Sequence, residues 1–130
     1  MRPCDSLRAV EIALALHRQL ATVLVLYYAA VGVWGLALGI RNSGPTPGFR
    51  GAIAIAVIAA VAQGLAGVLT FVFVRQPNEA LHVLYGFALA LAMPLATTLV
   101  RERTPRGQSM TLAFAALFAA GLCIRGITTA

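Results

Sequence analysis

The stretch LATVLVLYYAAVGVWGLALGI, residues 20–40, holds no charged residue and no proline. Its length decides what it can be, because a hydrocarbon core about 30 Å thick is crossed by about 20 helical residues at 1.5 Å each. Three further stretches pass the same test: Gly51–Val74, Ala80–Val100 and Met110–Ile127, with Arg125 the one charge among them. The apolar runs are continuous rather than alternating, which argues against a spanning β-barrel and requires backbone polar groups to pair within helices. The chain is 60% hydrophobic and 11% charged, where an ordinary soluble domain is roughly 25% charged. The expectation is an all-α integral membrane four-helix bundle, a single transmembrane domain over residues 1–130.

The links between these runs are short and hold helix breakers: GPTPG within Arg41–Arg50, a proline within Arg75–Asn78, and TPRG within Arg101–Ser109. Short links make sequential helices antiparallel neighbours, giving an up-down-up-down bundle with the N- and C-termini on one side. That side, A, also carries the 75–79 turn, and side B carries the 41–50 and 101–109 loops. Residues 5–19 read as an interfacial helical extension with Asp5 or Ser6 as its cap.

The net charge of +6 comes from ten arginines and no lysine, and these flank the apolar runs. There is no soluble basic domain to engage nucleic acid, so the charge is assigned to the membrane boundary. Arginines divide almost evenly between the two sides, favouring side B as cytoplasmic only narrowly. Cys4 and Cys123 both fall on side A, and Cys123 is expected to be a buried free thiol.

Ionisable groups near a bilayer are costly, so their placement is informative. At 100° per residue, His17 shares a stripe about 80° wide with Ala21, Leu24, Tyr28, Gly32, Gly35 and Gly39. Small residues on one face let membrane helices approach, so the stripe, and His17 with it, should face the bundle. Arg18 is rotated off it and can reach the headgroups. In EALHVLYG, residues 79–86, Asn78 is a good N-cap, Glu79 suits the helix dipole, His82 and Gly86 share a face, and Tyr85 lies one turn from His82. Arg75 and Arg125 end the second and fourth runs on the same side. Side A thus collects His17, Arg18, Arg75, His82, Tyr85 and Arg125, while side B has no histidine. Elsewhere, Gln63 is expected to hydrogen-bond between helices, Met93 to pack, and Pro94 to kink the third helix with Thr97 or Thr98 compensating.

Two histidines on facing helices at similar depth are what bis-histidine ligation of a b-type haem requires, one imidazole on each face of the iron. Gly86 and Ala21 would leave room for the macrocycle, and Arg18, Arg75 or Arg125 would pair with its propionates. A quinone head-group pocket of His, Tyr and Arg is the other ligand site this set would suit. A zinc or copper ion would need further ligands from Cys4, Cys123, Glu11 or Glu79. Without any cofactor, both histidines would be interfacial hydrogen-bonders in an accessory subunit. Soluble-enzyme motifs are absent, and no carboxylate lies within a run to couple transport to protons. The chain is therefore expected to act in the bilayer with other membrane subunits, or as a homo-oligomer, rather than as an enzyme on its own.

Leu16-His17-Arg18 and Leu81-His82 resemble membrane-anchored b-type cytochromes, including the haem-binding anchor subunits of succinate dehydrogenase, where a His-Arg pair opens a transmembrane helix. The LHxLYG pattern is similarly like small bacterial four-helix membrane proteins. The resemblance covers only these residues, and it implies His17 and His82 as axial ligands, haem b as cofactor, electron transfer as activity, and a bacterial inner membrane as location. Those anchors have fewer spans per chain and further polar residues at a quinone site, which this sequence lacks.

Overall fold

A computed structural model describes residues 3–73 and 80–129, with side chains from residue 7 onward. It holds four helices, α1 (Pro3–Ile40), α2 (Pro47–Phe73), α3 (Ala80–Leu99) and α4 (Pro105–Thr128), each long and apolar enough to cross a membrane. Asn78, Glu79 and Arg75 lie outside the described residues, and so do the expectations attached to them.

Two helix starts come earlier than the apolar runs, for the same reason. Thr46 and Thr104 each precede a proline, and their hydroxyl oxygens accept from the backbone N–H of Phe49 and Gly107, both at 3.2 Å. A threonine N-cap followed by proline at the first helical position starts a helix, because proline lacks only an N–H that would be unpaired there. The prolines in GPTPG and TPRG therefore open α2 and α4. At its other end α1 stops in a Schellman turn. Asn42 adopts φ 54°, the Ser43 N–H donates to the Leu38 carbonyl at 2.9 Å, and that of Asn42 to Gly39 at 3.1 Å.

The helical extension expected over residues 5–19 is present and continuous with the first apolar run. Helix α1 runs 38 residues without a break, about 57 Å at 1.5 Å per residue, with Asp5 and Ser6 inside its first turns instead of capping it. Helix α3 continues through Pro94. The Thr97 and Thr98 hydroxyls donate at 2.7 Å to the carbonyls of Pro94 and Leu95, not to the Ala90 carbonyl that the proline ring displaces.

The helices form a ring in which α1 packs most extensively on α4, α3 on α4, α1 on α2, and α2 least on α3. Neither diagonal pair, α1 with α3 or α2 with α4, brings Cα atoms within 8 Å among the described residues. Successive contacts run in opposite chain directions: Gly32, Gly35 and Gly39 of α1 meet Leu117, Ala113 and Met110 of α4. The expected stripe is buried from Leu24 to Gly39; its Gly32, Gly35 and Gly39 form this seam, while Tyr28 bonds to α2.

Residue sizes are inverted relative to a soluble protein. Alanines such as Ala56, Ala60, Ala113 and Ala116 fill the interior, while Leu26, Ile58, Phe73, Phe87 and Phe118 stand exposed. Small side chains inside and large apolar ones outside are the pattern of helices that associate within lipid.

Gly35 is the tightest point of the seam against rigid neighbours. A Cβ there would lie 2.8 Å from Phe49 Cζ and 2.9 Å from Ala113 Cβ. Gly35→Ala is expected to cost about 1–3 kcal/mol by overpacking, measured by thermal unfolding in detergent. Gly121→Ala, where a Cβ would meet nothing within 4 Å, should be neutral or slightly stabilising. Equal stability of Gly35→Ala and the parent would show that the seam is looser than described.

Candidate functional site

The site is built from polar side chains that cross from one helix to the next at the end opposite the 41–46 and 100–104 loops. On α1, His17 half-buries its ring against α2. A Cβ on Gly67 would meet its Cε1 at 3.2 Å, so glycine there gives the ring its place. One turn earlier on α2, Gln63 is 8% exposed. Its amide nitrogen donates to the His17 carbonyl at 3.0 Å and approaches His17 Nε2 at 3.5 Å. The interhelical hydrogen bond expected of Gln63 is thus present. His17 Nδ1 and Gln63 Oε1 are buried without a hydrogen-bond partner.

On α3, His82 reaches α4 instead. Its Nδ1 lies 2.9 Å from the Gly126 carbonyl, an acceptor only, so Nδ1 carries the proton and Nε2 keeps a lone pair. Next to it Arg125 stacks over the Tyr85 ring, with the guanidinium carbon 5.7 Å from the ring centre.

The two histidines meet. Their ring centres are 6.2 Å apart with planes inclined at 58°, although α1 and α3 are diagonal helices whose backbones stay apart. His17 is level with Gly67, so α2 continues about 9 Å beyond it to Phe73, and α1 about 21 Å back to Pro3, at 1.5 Å per residue. By contrast, α3 begins two residues before His82 and α4 ends two after Gly126. Among the described residues the α1–α2 pair thus extends further past the histidines than the α3–α4 pair, and His17 lies well inside α1. An open apolar groove of about 450 Å³ runs along the α1–α2 pair between Ala13, Leu16 and His17 of α1 and Ala66, Leu69 and Thr70 of α2.

Of the other expected site residues, Tyr85 and Arg125 pair with each other beside His82. Arg18 is exposed. Gly86 is also exposed, and a Cβ there would meet nothing within 4 Å, so it packs against no other helix. Arg75 is outside the described residues. Cys123 is a buried free thiol, as expected. The acceptor carbonyls of His17 and Gly126 were beyond sequence reasoning, since every residue supplies one.

Two imidazoles sharing one iron have ring centres about 6 Å apart, each bonded nitrogen lying about 2 Å from the metal and about 1 Å from its ring centre. The observed 6.2 Å matches that spacing. The hydrogen bond on the far side of the ring also matches for His82, where an Nδ1–H held by a carbonyl would leave Nε2 to ligate. His17 matches less well, because Gln63 faces the nitrogen that would bind.

No family model matches the chain, and neither does any curated protein or solved structure.

Because Gln63 donates to the backbone of His17, its contribution should survive loss of the imidazole. Gln63→Leu is expected to destabilise by about 1 kcal/mol, equally in the parent and in His17→Ala. Thermal or denaturant unfolding of the four proteins gives the coupling; a value above about 0.5 kcal/mol would place the interaction in the ring contact instead.

Proposed function

We propose that the chain is an integral membrane protein, an antiparallel bundle with both termini at the histidine end, that holds a b-type haem between α1 and α3. In this assignment His17 and His82 are the axial ligands, and the protein transfers electrons alone or as the haem-bearing subunit of a membrane redox complex. The observation that carries it is the meeting of two imidazoles, 6.2 Å between ring centres, from helices whose described backbones stay apart. A cofactor held inside a bundle takes its ligands from facing helices in this way.

Three features support the assignment. Among the described residues no third His, Cys, Asp or Glu joins the pair. That suits a macrocycle, which brings its own equatorial nitrogens, better than zinc, which takes three or four protein ligands. Arg18 follows His17 in sequence and Arg125 precedes the Gly126 that holds His82, and both are exposed at this end of the bundle, where anionic propionates would lie. Small residues inside and large apolar residues outside support insertion in lipid. When bound, the haem would supply one-electron chemistry, and the chain's part is to ligate the iron, hold the His82 tautomer through Gly126 and balance propionate charge.

One observation favours a second assignment. Each histidine contacts a neighbouring helix through a polar atom, His82 at Gly126 and His17 at Gln63, as they would in a cofactor-free accessory subunit.

Spectroscopy separates the two. Protein purified from haem-replete cells is expected to show a Soret band and sharp reduced-state visible bands, lost in His17→Ala and in His82→Ala and kept in Arg41→Gln at the far end of the bundle. A colourless parent, with His82→Ala destabilised by about 1 kcal/mol, would establish the accessory role and reject the haem.

A further inference from the structure

At the end opposite the histidines, α2 and α4 both begin, yet their backbones do not meet. A cavity of about 220 Å³ occupies this gap. Arg50 and Ile53 of α2, Thr97 of α3, and Gln108 and Leu112 of α4 form its walls, with Pro45 at the rim. It is therefore a pocket built by three helices and a loop, polar at its mouth and apolar deeper in.

Its cation is held in place. Arg50 Nε donates to the Pro45 carbonyl at 3.3 Å, which orients the guanidinium and leaves both terminal amino groups available. Across the pocket Gln108 is likewise anchored, its amide nitrogen donating to the Arg103 carbonyl at 3.0 Å. Helices α2 and α4 both direct their positive ends here. Charge at this end is one-sided: Arg41, Arg50, Arg101, Arg103 and Arg106 stand against Glu102 alone.

We propose that this cavity binds the phosphate of an anionic phospholipid head group, with Arg50 as the principal ligand and Ile53 and Leu112 against the glycerol backbone. A planar fork of donors beside two helix N-termini recognises phosphate, and a pocket between membrane helices at a basic end is where such head groups lodge. The apolar floor selects a lipid over inorganic phosphate. The site rests on the bilayer assignment but not on the haem, and lies at the far end of the bundle from both histidines.

The test uses the full chain in phosphatidylcholine nanodiscs, with phosphatidylglycerol titrated in and lipid retention read by native mass spectrometry. One phosphatidylglycerol is expected to be retained in preference to phosphatidylcholine. Arg50→Gln should weaken that retention about tenfold, as removal of a charge-assisted hydrogen-bond donor does. Arg41→Gln removes the same charge from the same end without touching the cavity, and should change retention less than about twofold. Thermal unfolding in pure phosphatidylcholine checks that each variant is folded; should Arg50→Gln fail, Gln108→Ala is expected to weaken retention in its place. Equal losses in Arg50→Gln and Arg41→Gln, or no preference for phosphatidylglycerol, would overturn the site. Saturation by inorganic phosphate, displacing the lipid, would reassign it to the free ion.

Discussion

The rest of the bundle depends on the close approach of α1 and α4. Lipid tails are as apolar as leucine, so helices in a membrane gain little by burying large apolar side chains against each other; they gain by packing closely. Gly32, Gly35 and Gly39 allow that approach, and at Gly35 both α4, through Ala113, and α2, through Phe49, close on one missing side chain. The seam also fixes register. With Gly39 against Met110, the Ser109 hydroxyl reaches the Ser43 carbonyl at 2.8 Å and ties α4 to the turn that ends α1. Two pairs, α2 held on α1 and α3 on α4, are thus joined chiefly by this seam, with the smaller α2–α3 contact closing the ring.

Each pair is fastened by the same device. Tyr27 and Tyr28 on α1 donate their hydroxyls to the Ala52 and Ala56 carbonyls of α2, both at 3.0 Å, Gln63 donates back to the His17 carbonyl, and His82 donates to Gly126 on α4. In every case a side-chain donor ends on a backbone carbonyl: those of Ala52, Ala56 and His17 lie within their helices and offer a second lone pair, and that of Gly126 lies in the last turn of α4. Such links need no polar side chain on the receiving helix. They also explain where the strain in this scheme concentrates, at His17 Nδ1 and Gln63 Oε1, which are buried with nothing to meet.

That device marks the boundary of what the sequence could disclose. Four apolar runs, the glycine stripe and an inward His17 were legible because period and side-chain size act locally and repeat along the chain. Gln63 was legible as a donor because an amide in such a run has few other roles. Its acceptor was not, for carbonyls are the same at every residue, and Tyr27 and Tyr28 were hidden for the same reason. Thr46-Pro47 and Thr104-Pro105 did carry a local signal for the true helix starts, obscured by treating proline as a breaker instead of a first-turn residue. The 6.2 Å between His17 and His82 was beyond reach in principle. It is set by the helix interfaces around the ring taken together, and only the end of the bundle on which the two residues gather could be read from their order.

The unequal state of the two histidines bears on how an iron would be accommodated. His82 needs no change, since Gly126 already fixes the tautomer that leaves Nε2 basic. His17 has Gln63 at 3.5 Å from Nε2, beyond the usual range of an N–H···N bond, while the same amide makes its better contact, 3.0 Å, to the carbonyl. Turning the ring away from Gln63 therefore gives up a contact worth less than about 1 kcal/mol and keeps the bond that holds α2 to α1. The ring has reason to turn, because in its present pose Nδ1 is buried and unpaired, a cost of about 1–3 kcal/mol. The obstacle at His17 is thus a single long contact to Gln63, and the bond that joins α2 to α1 does not depend on the ring.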